Sequence, residues 1–311
     1  MPQITVIIPY YNGNIEHMTV AINSVFNQTI KDWEIIIVND GSTLKKSNLL
    51  EAYLKTLDDS RLRYYKNTNA GVAVARNFGI DKSNSIYIAL LDQDDYWYED
   101  KLKLQLKVFE DYPETSVVSA NCDDLFPNSK IVHRKKKTPP NPLEISNGKL
   151  FQHMAESNFI PLVTAIFKKQ IILTENGFDK NFGGVEDKEL WLRLLISNHK
   201  FYWIDDYVAV HRLHEFNESK NIPKVMVDRL RLINKLDSIL KNNVQYLEQI
   251  NWSKLKRSMT NHLYHEVAEG YIEEKNGFKG LYYSLPQYCG FSISSIKLSA
   301  RAVGKIFNFS S

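Results

Sequence analysis

The sequence has 311 residues, 43% hydrophobic and 24% charged, with 13 Gly and 10 Pro. That is globular composition with room for one large domain or a domain plus an extension, and it excludes collagen-like, linker-rich and disordered chains. A formal net charge of +3 does not point to nucleic acid as a partner.

The first half alternates strand and helix signals. Ile4 to Ile8 is a short apolar run closed by Pro9. Ile15, Met18, Ile22, Val25 and Phe26 recur at helical spacing. Trp33 to Val38 is a second, β-branched run. Ser42 or Thr43 is placed to cap a helix whose core side is Leu44, Leu50, Leu54 and Leu57. Arg61 to Lys66 reads as a third strand, Gly71 to Ile80 as a short helix and Ile86 to Leu91 as a fourth strand. This βαβαβαβ order predicts an open, mainly parallel sheet with helices on both faces. Ligands of such sheets sit at the carboxyl ends of the strands. Pro9-Tyr10-Tyr11, Asn39-Asp40-Gly41-Ser42 and Asp92-Gln93-Asp94-Asp95 all fall there.

Beyond residue 115, Val117 to Cys122, Leu162 to Phe167 and Phe201 to Ile204 read as strands, and Glu186 to Ile196 as a helix. From Pro223 the pattern is helical, with stripes at Leu230, Ile233, Leu236 and Leu240 and at Leu255, Met259, His262, Leu263 and Val267. Residues 1–219 hold 25 basic and 29 acidic side chains, and residues 220–311 hold 14 and 7. The shift from net negative to net positive divides the chain into an α/β domain, 1–219, and a helical C-terminal extension, 220–311, with a different partner. Two cysteines, Cys122 and Cys289, exclude a disulfide framework and fit reduced thiols in the cytoplasm. No leader pattern is evident, and no apolar run reaches the ~18 residues of a spanning helix.

Asp92, Asp94 and Asp95 place three carboxylates within four residues at the end of an apolar strand. Like charges this close repel, and desolvation penalises each. A divalent cation resolves the conflict; oxygen ligands suit Mn²⁺ or Mg²⁺, which bridge to phosphates. On the residues alone, a solvated acidic turn or a helix cap is the alternative.

The chain resembles a family 2 glycosyltransferase of the GT-A fold. Five segments carry the resemblance, in the family's order: Val6 to Asn12, Ile37 to Ser42, Asn69 to Asn77, Leu91 to Asp95 and Glu186 to Arg193. They cover roughly residues 4–215, and the C-terminal third lies outside them. The resemblance implies an inverting enzyme that uses a nucleotide-diphosphate sugar. It places the nucleotide against Pro9, Tyr10, Tyr11 and Asp40, the last as an exposed carboxylate able to accept from a uracil N–H. Asp92 and Asp95 then lie by the donor, Asp94 on the metal, and Arg76 near the donor. Arg76 has a fork that suits either phosphate or a carboxylate of the cluster.

Inversion needs a base for the acceptor hydroxyl. Gly183-Gly184-Val185-Glu186-Asp187 offers two carboxylates at a helix start; the resemblance makes Asp187 the base and Glu186 a positioning residue. On sequence alone both also serve as helix caps. His211-Arg212-Leu213-His214 resembles the family's Tyr-Arg-x-His segment, with His211 where Tyr is common, and places His214 beside the metal or diphosphate. The nearest enzymatic alternative is a sugar nucleotidyltransferase, whose basic, Gly-rich phosphate loop is missing from Pro9 to Asn14. A catalytically silent partner in a membrane glycan-assembly complex is the non-enzymatic one.

Bacterial relatives build surface polysaccharides on lipid carriers, which implies a glycan or lipid-linked acceptor and a place in the cytoplasm or on the inner face of the membrane. In the tail, Ile293, Ile296, Ala300, Val303 and Phe307 fall on one helical face beside Lys297, Arg301 and Lys305. Segment 291–311 is thus expected to lie on an anionic membrane surface, or to dock on the domain as an ordinary helix. The basic run Arg134 to Lys137 reads as a solvated loop, with contact to an anionic lipid-linked acceptor as the alternative.

Overall fold

The computed structural model describes residues 2–134, 145–214 and 222–273. The chain divides into two compact units, Met1–Phe216 and Asn217–Ser311.

The first unit opens with β1 (Ile4–Tyr10), α1 (Ile15–Phe26), β2 (Trp33–Asp40), α2 (Leu44–Leu57), β3 (Leu62–Asn67), α3 (Val72–Lys82) and β4 (Tyr87–Leu90). β1 lies between β2 and β4, with β3 outside β2, all parallel. Every residue of β1 and β2 is buried, as strands covered on both faces require. Alternate residues face opposite ways. Ile4, Val6, Ile8, Ile35 and Ile37 share a core with Met18, Ile22 and Val25 of α1 and Leu50 of α2. Ile36 and Val38 meet Ala75 of α3 on the other face. A Cβ on Gly79 of α3 would stand 2.6 Å from Ile7 Cγ2, so this helix approaches the sheet closely only because that side chain is absent.

The chain continues through β5 (Tyr96–Trp97), α4 (Lys101–Asp111), β6 (Thr115–Leu125), β7 (Ile131–His133) and α5 (Asn147–Glu156). Then follow a 3₁₀ turn (Leu162–Thr164), β8 (Ile166–Lys168), α6 (Lys169–Thr174), α7 (Glu186–Ile196) and β9 (Lys200–Arg212). The sheet order is β3-β2-β1-β4-β8-β6-β9-β5, with β7 paired to β6. The β1 to β4 half is parallel as expected. The other half adds antiparallel pairs at β4–β8, β8–β6, β6–β7 and β9–β5, so the whole sheet is mixed.

Local departures have physical causes. The strand expected over Leu162 to Phe167 is broken because Thr164 gives both its N–H and its hydroxyl to the Pro161 carbonyl, at 2.9 and 2.8 Å. β9 runs past Ile204 because its pairing with β6 shifts register near Asn121 and resumes; the exposed Asp205 and Asp206 there interrupt the apolar pattern without ending the strand. Leu44 is 74% exposed and does not belong to the core side of α2. Thr43 stands at the N-cap of α2 without a side-chain capping bond.

Lys101 of α4 is fully buried, its Nζ 2.7 Å from Gln105 Oε1 and 4.1 Å from the centroid of the Trp97 ring. Burial pushes its pKa well down. The ring face favours the cation by about 2 kcal/mol, less than the several kcal/mol that desolvation costs a buried ion, so the neutral amine prevails. The unfolded chain then binds one more proton than the folded one below the ordinary lysine pKa near ~10.4, and stability rises with pH up to that point. Relative to Lys101→Met, wild type should gain stability as the pH rises toward ~10.4, by up to about 1.4 kcal/mol per pH unit, in urea unfolding. Equal pH slopes in the two proteins would show a charged lysine in the fold.

The second unit holds α8 (Ile222–Lys241), α9 (Val244–Leu247) and α10 (Trp252–Glu273). Ile233, Leu236 and Leu240 of α8 and Leu255, Met259 and Leu263 of α10 are buried. His262, expected in the second stripe, is exposed. Trp252 Nε1 donates to Asp237, which also pairs with Lys241 and Lys256. Among the described residues no helix is long and apolar enough to cross a membrane. Segment 291–311 lies outside the described residues.

Candidate active site

The carboxyl ends of β1, β2 and β4, with the loop that leads into α3, are laced by side chains. Asn12, at φ 48°, donates its N–H to Ser42 Oγ at 2.9 Å and accepts from the Thr43 N–H at 2.9 Å. Tyr11 N–H donates to Gln93 Oε1 at 3.0 Å, and Gln93 Nε2 returns a bond to the Tyr11 carbonyl at 3.3 Å. Asp40 accepts from the N–H groups of Ala70 and Gly71 at 3.0 and 2.9 Å, and its carbonyl accepts from Asn69 Nδ2. Gly41 sits at φ +72°, and a Cβ there would meet Asn69 N at 2.4 Å, so both its conformation and its surroundings require glycine.

This lacing corrects several expectations. Asp40 is only 4% exposed, and both of its oxygens already hold backbone donors. A carboxylate offers about four lone-pair sites, so it retains acceptor capacity toward a ligand. Pro9 and Tyr10 are buried. The Tyr10 hydroxyl donates inward to the carbonyls of Gly13 and Lys46, and burial raises its pKa. Of Pro9, Tyr10 and Tyr11, expected at the donor, Tyr11 alone is exposed, at 51%.

Arg76 is 3% exposed and reaches two carboxylates. Its Nη1 donates to Glu186 Oε1 at 2.6 Å and its Nη2 to Asp92 Oδ1 at 2.8 Å. Burial opposes its charge, and the two acids outweigh burial, so its pKa is raised. The fork thus serves carboxylates, and it joins the acidic cluster to the start of α7. Burial raises the pKa of Glu186, Arg76 works against that, and Asp187 adds to it. Asp187 Oδ2 accepts from Asn158 Nδ2 at 2.7 Å.

The three aspartates diverge in role. Asp92, with 35% of its side chain exposed, faces Arg76. Asp94 Oδ2 lies 2.6 Å from His214 Nε2. Asp95 is 3% exposed and accepts from the Arg212 N–H at 2.8 Å, while Arg212 Nε donates to the Asp94 carbonyl. Burial first, then Asp94 and Asp92, push the Asp95 pKa well up. Asp95 is therefore a buried brace for the His211-to-His214 segment, and not a group open to a donor. His211 bonds with Asp124 and Arg134. Among the described residues no three His, Cys, Asp or Glu side chains form a ready metal cage. One oxygen and one imidazole nitrogen converge, which fits a divalent ion that takes its remaining ligands from water and phosphate.

Sequence reasoning missed Gln93, Asn158, Asn12 and His17. Gln93 lies between two of the three clustered carboxylates and carries no charge of its own. His17, on the first turn of α1, has its pKa lowered by burial first and then by Arg212, with Asp94 opposing. Nothing in its helical spacing sets it apart from its neighbours.

The family model described as "Glycosyl transferase family 2" matches residues 5–167, 163 of the 311 residues. The chain belongs to glycosyl transferase family 2. The matched span runs from β1 to β8 and includes the laced strand ends and the Asp92-to-Asp95 cluster. Several known proteins are similar to the chain. One, an "Uncharacterized glycosyltransferase" of Rickettsia bellii, is 34% identical over 201 residues, 63% of this chain, which spans 27% of that protein's length. The "GalNAc(5)-diNAcBac-PP-undecaprenol beta-1,3-glucosyltransferase" of Campylobacter jejuni is 27% identical over 97% of this chain and 92% of its own. The "Putative teichuronic acid biosynthesis glycosyltransferase TuaG" of Bacillus subtilis is 28% identical over 71% of this chain and 82% of its own. The fold is similar to the S. aureus TarS 1-349 structure, with a TM-score of 0.65 at 15% identity over 97% of this chain and 88% of that one.

Proposed function

We propose that this family 2 protein is an inverting glycosyltransferase that moves a sugar from a UDP-sugar to a hydroxyl of a glycan or lipid-linked acceptor in surface polysaccharide synthesis. The observation that carries the reading is the Arg76 bridge. One buried guanidinium holds Asp92 of the acidic cluster and Glu186 of α7, so the donor-side and base-side carboxylates belong to one edge. The names of the Campylobacter and Bacillus relatives support a polyprenol-linked or wall-glycan acceptor. A TarS structure in complex with UDP-GlcNAc, similar at a TM-score of 0.60, supports the donor class.

In this mechanism Tyr11 and the laced loops receive the nucleotide. Asp187, held by Asn158, takes the proton from the acceptor hydroxyl. The freed oxygen attacks the anomeric carbon from the side opposite the diphosphate, which inverts that centre. Asp94 and His214 would hold Mn²⁺ or Mg²⁺, whose charge offsets that of the departing diphosphate. Glu186 keeps Arg76 in place and Arg76 keeps Asp92 in place. Segment 291–311 is the part we assign, on its sequence pattern, to an anionic membrane surface where a lipid-linked acceptor resides.

A thermal-shift screen of UDP-, GDP- and TDP-sugars with and without Mn²⁺ tests the donor and the metal together. A UDP-sugar at a hundred times its Kd should stabilise the folded chain by about 2.7 kcal/mol, and should need the metal to do so. No shift with any nucleotide sugar would overturn the reading, and a shift of equal size in EDTA would remove the metal from it.

A further inference from the structure

A groove of about 690 Å³ opens beside the short strand that follows the acidic cluster, a volume typical of small-molecule sites, ~300–1,000 Å³. One wall is α1, where Val20, Asn23 and Asn27 form a stripe at helical spacing. The facing wall is Tyr96 to Asp100 together with Tyr207 of β9. Trp97 is core: it is 3% exposed and its Nε1 donates to the Val163 carbonyl at 2.9 Å.

The remaining rings are held in place from behind. Asp123 is buried; one of its oxygens accepts from the Tyr98 hydroxyl at 2.7 Å and the other lies 2.6 Å from His133 Nδ1. His133 in turn packs on Tyr207, ring centroids 4.3 Å apart. Tyr96 meets Tyr98 edge-on at 6.5 Å. A single carboxylate thus positions the aromatic wall, which lowers the ordering cost of binding.

Charge decides what fits. Asn23, Asn27, Glu99, Asp100 and Asp206 supply the polar groups, and no Lys, Arg or His is among the lining residues. Among the described residues a nucleoside diphosphate or an anionic headgroup faces Glu99, Asp100 and Asp206 here, against the exposed Lys103 whose Nζ stands 3.8 Å from Asp100 Oδ1, so a second donor site and a lipid-headgroup site are both disfavoured. Aromatic faces flanked by amides and carboxylates suit a neutral saccharide. Its C–H face packs on a ring, and its hydroxyls donate to carboxylates and exchange both ways with amides.

Position links the groove to the transfer site. Tyr96 follows Asp94 by two residues, a reach of at most about 7 Å. α1 begins just after the laced loop of Asn12 and ends at its C-cap Asn27, about 18 Å along the axis from Ile15. We propose that the groove is a subsite for neutral sugar units of the acceptor that lie beyond the residue receiving the new sugar. The assignment to an acceptor rests on the glycosyltransferase reading above.

The test uses the full chain, with chitotetraose, maltotetraose and cellotetraose as neutral probes, spermine as a cationic probe and UDP with Mn²⁺ as the donor-side reference, all read by saturation-transfer NMR and titration. Val20 is 41% exposed, so Val20→Trp fills the groove without disturbing the core, and Tyr207→Ala removes a ring instead. The expected result is that at least one tetrasaccharide binds wild type, binds each variant at least tenfold more weakly, and leaves the affinity for UDP equal in all three proteins. Binding of UDP with no tetrasaccharide, tetrasaccharide binding unchanged in Val20→Trp, or binding of spermine alone would each overturn the subsite. Tetrasaccharide binding with no binding of UDP would overturn the glycosyltransferase reading and the acceptor assignment with it.

Discussion

Asp187→Asn is expected to slow sugar transfer by about 10²–10⁴-fold, the range lost when a positioned base is removed. The substitution keeps the shape of the side chain. Asn158, which donates to Asp187 Oδ2 at 2.7 Å, can rotate its amide to present an oxygen to the new NH₂. The Arg76–Glu186 pair does not involve Asp187 and stays intact. UDP affinity should therefore hold within about twofold while turnover collapses, in rapid-quench assays that isolate the chemical step. The effect belongs on kcat, because the missing interaction forms only as the acceptor proton departs. If UDP affinity falls in step with turnover, Asp187 serves the donor or the fold, and the assignment as base is wrong.

The second large effect is expected at the acidic cluster. Asp94→Asn removes the negative charge offered to a divalent ion while leaving an oxygen to accept from His214, so the fold should be unaffected. A metal acting as a Lewis acid is worth several kcal/mol, and each ~1.4 kcal/mol is tenfold in rate. Transfer at fixed Mn²⁺ should drop by about 10²–10³-fold. Part of the loss should return as Mn²⁺ is raised, because the remaining donors still bind the ion more weakly. Wild-type turnover in the variant with Mn²⁺ present would take Asp94 out of the metal site.

The parallel half of the sheet and the helix Glu186–Ile196 were legible because their signals are local. Apolar runs, helical spacing and turn residues are written within a dozen positions. Burial on both faces is what hid the orientation of Tyr10. A strand that is apolar throughout has no alternation to say which ring turns inward. Asp40 was misread as exposed because its partners are backbone amides, which carry no side-chain signature. The partners of Arg76 lie 16 and 110 positions away, and a single sequence offers no way to match them among 36 acids. Asp95 sits beside two aspartates of identical type, and only the approach of β9 buries one of the three.

The lacing of Asn12, Ser42, Gln93 and Asp40 has a consequence for how this active site can change. Each loop takes its shape from a side chain or backbone group on a different loop, so no loop is an independent module. A segment transplanted alone from a relative would arrive without the partner that folds it. A substitution in one loop is therefore expected to need a matching change in its neighbour. The ring of Tyr11 stands apart from this lacing: it is 51% exposed, and its residue enters the network through backbone N–H and C=O bonds to Gln93.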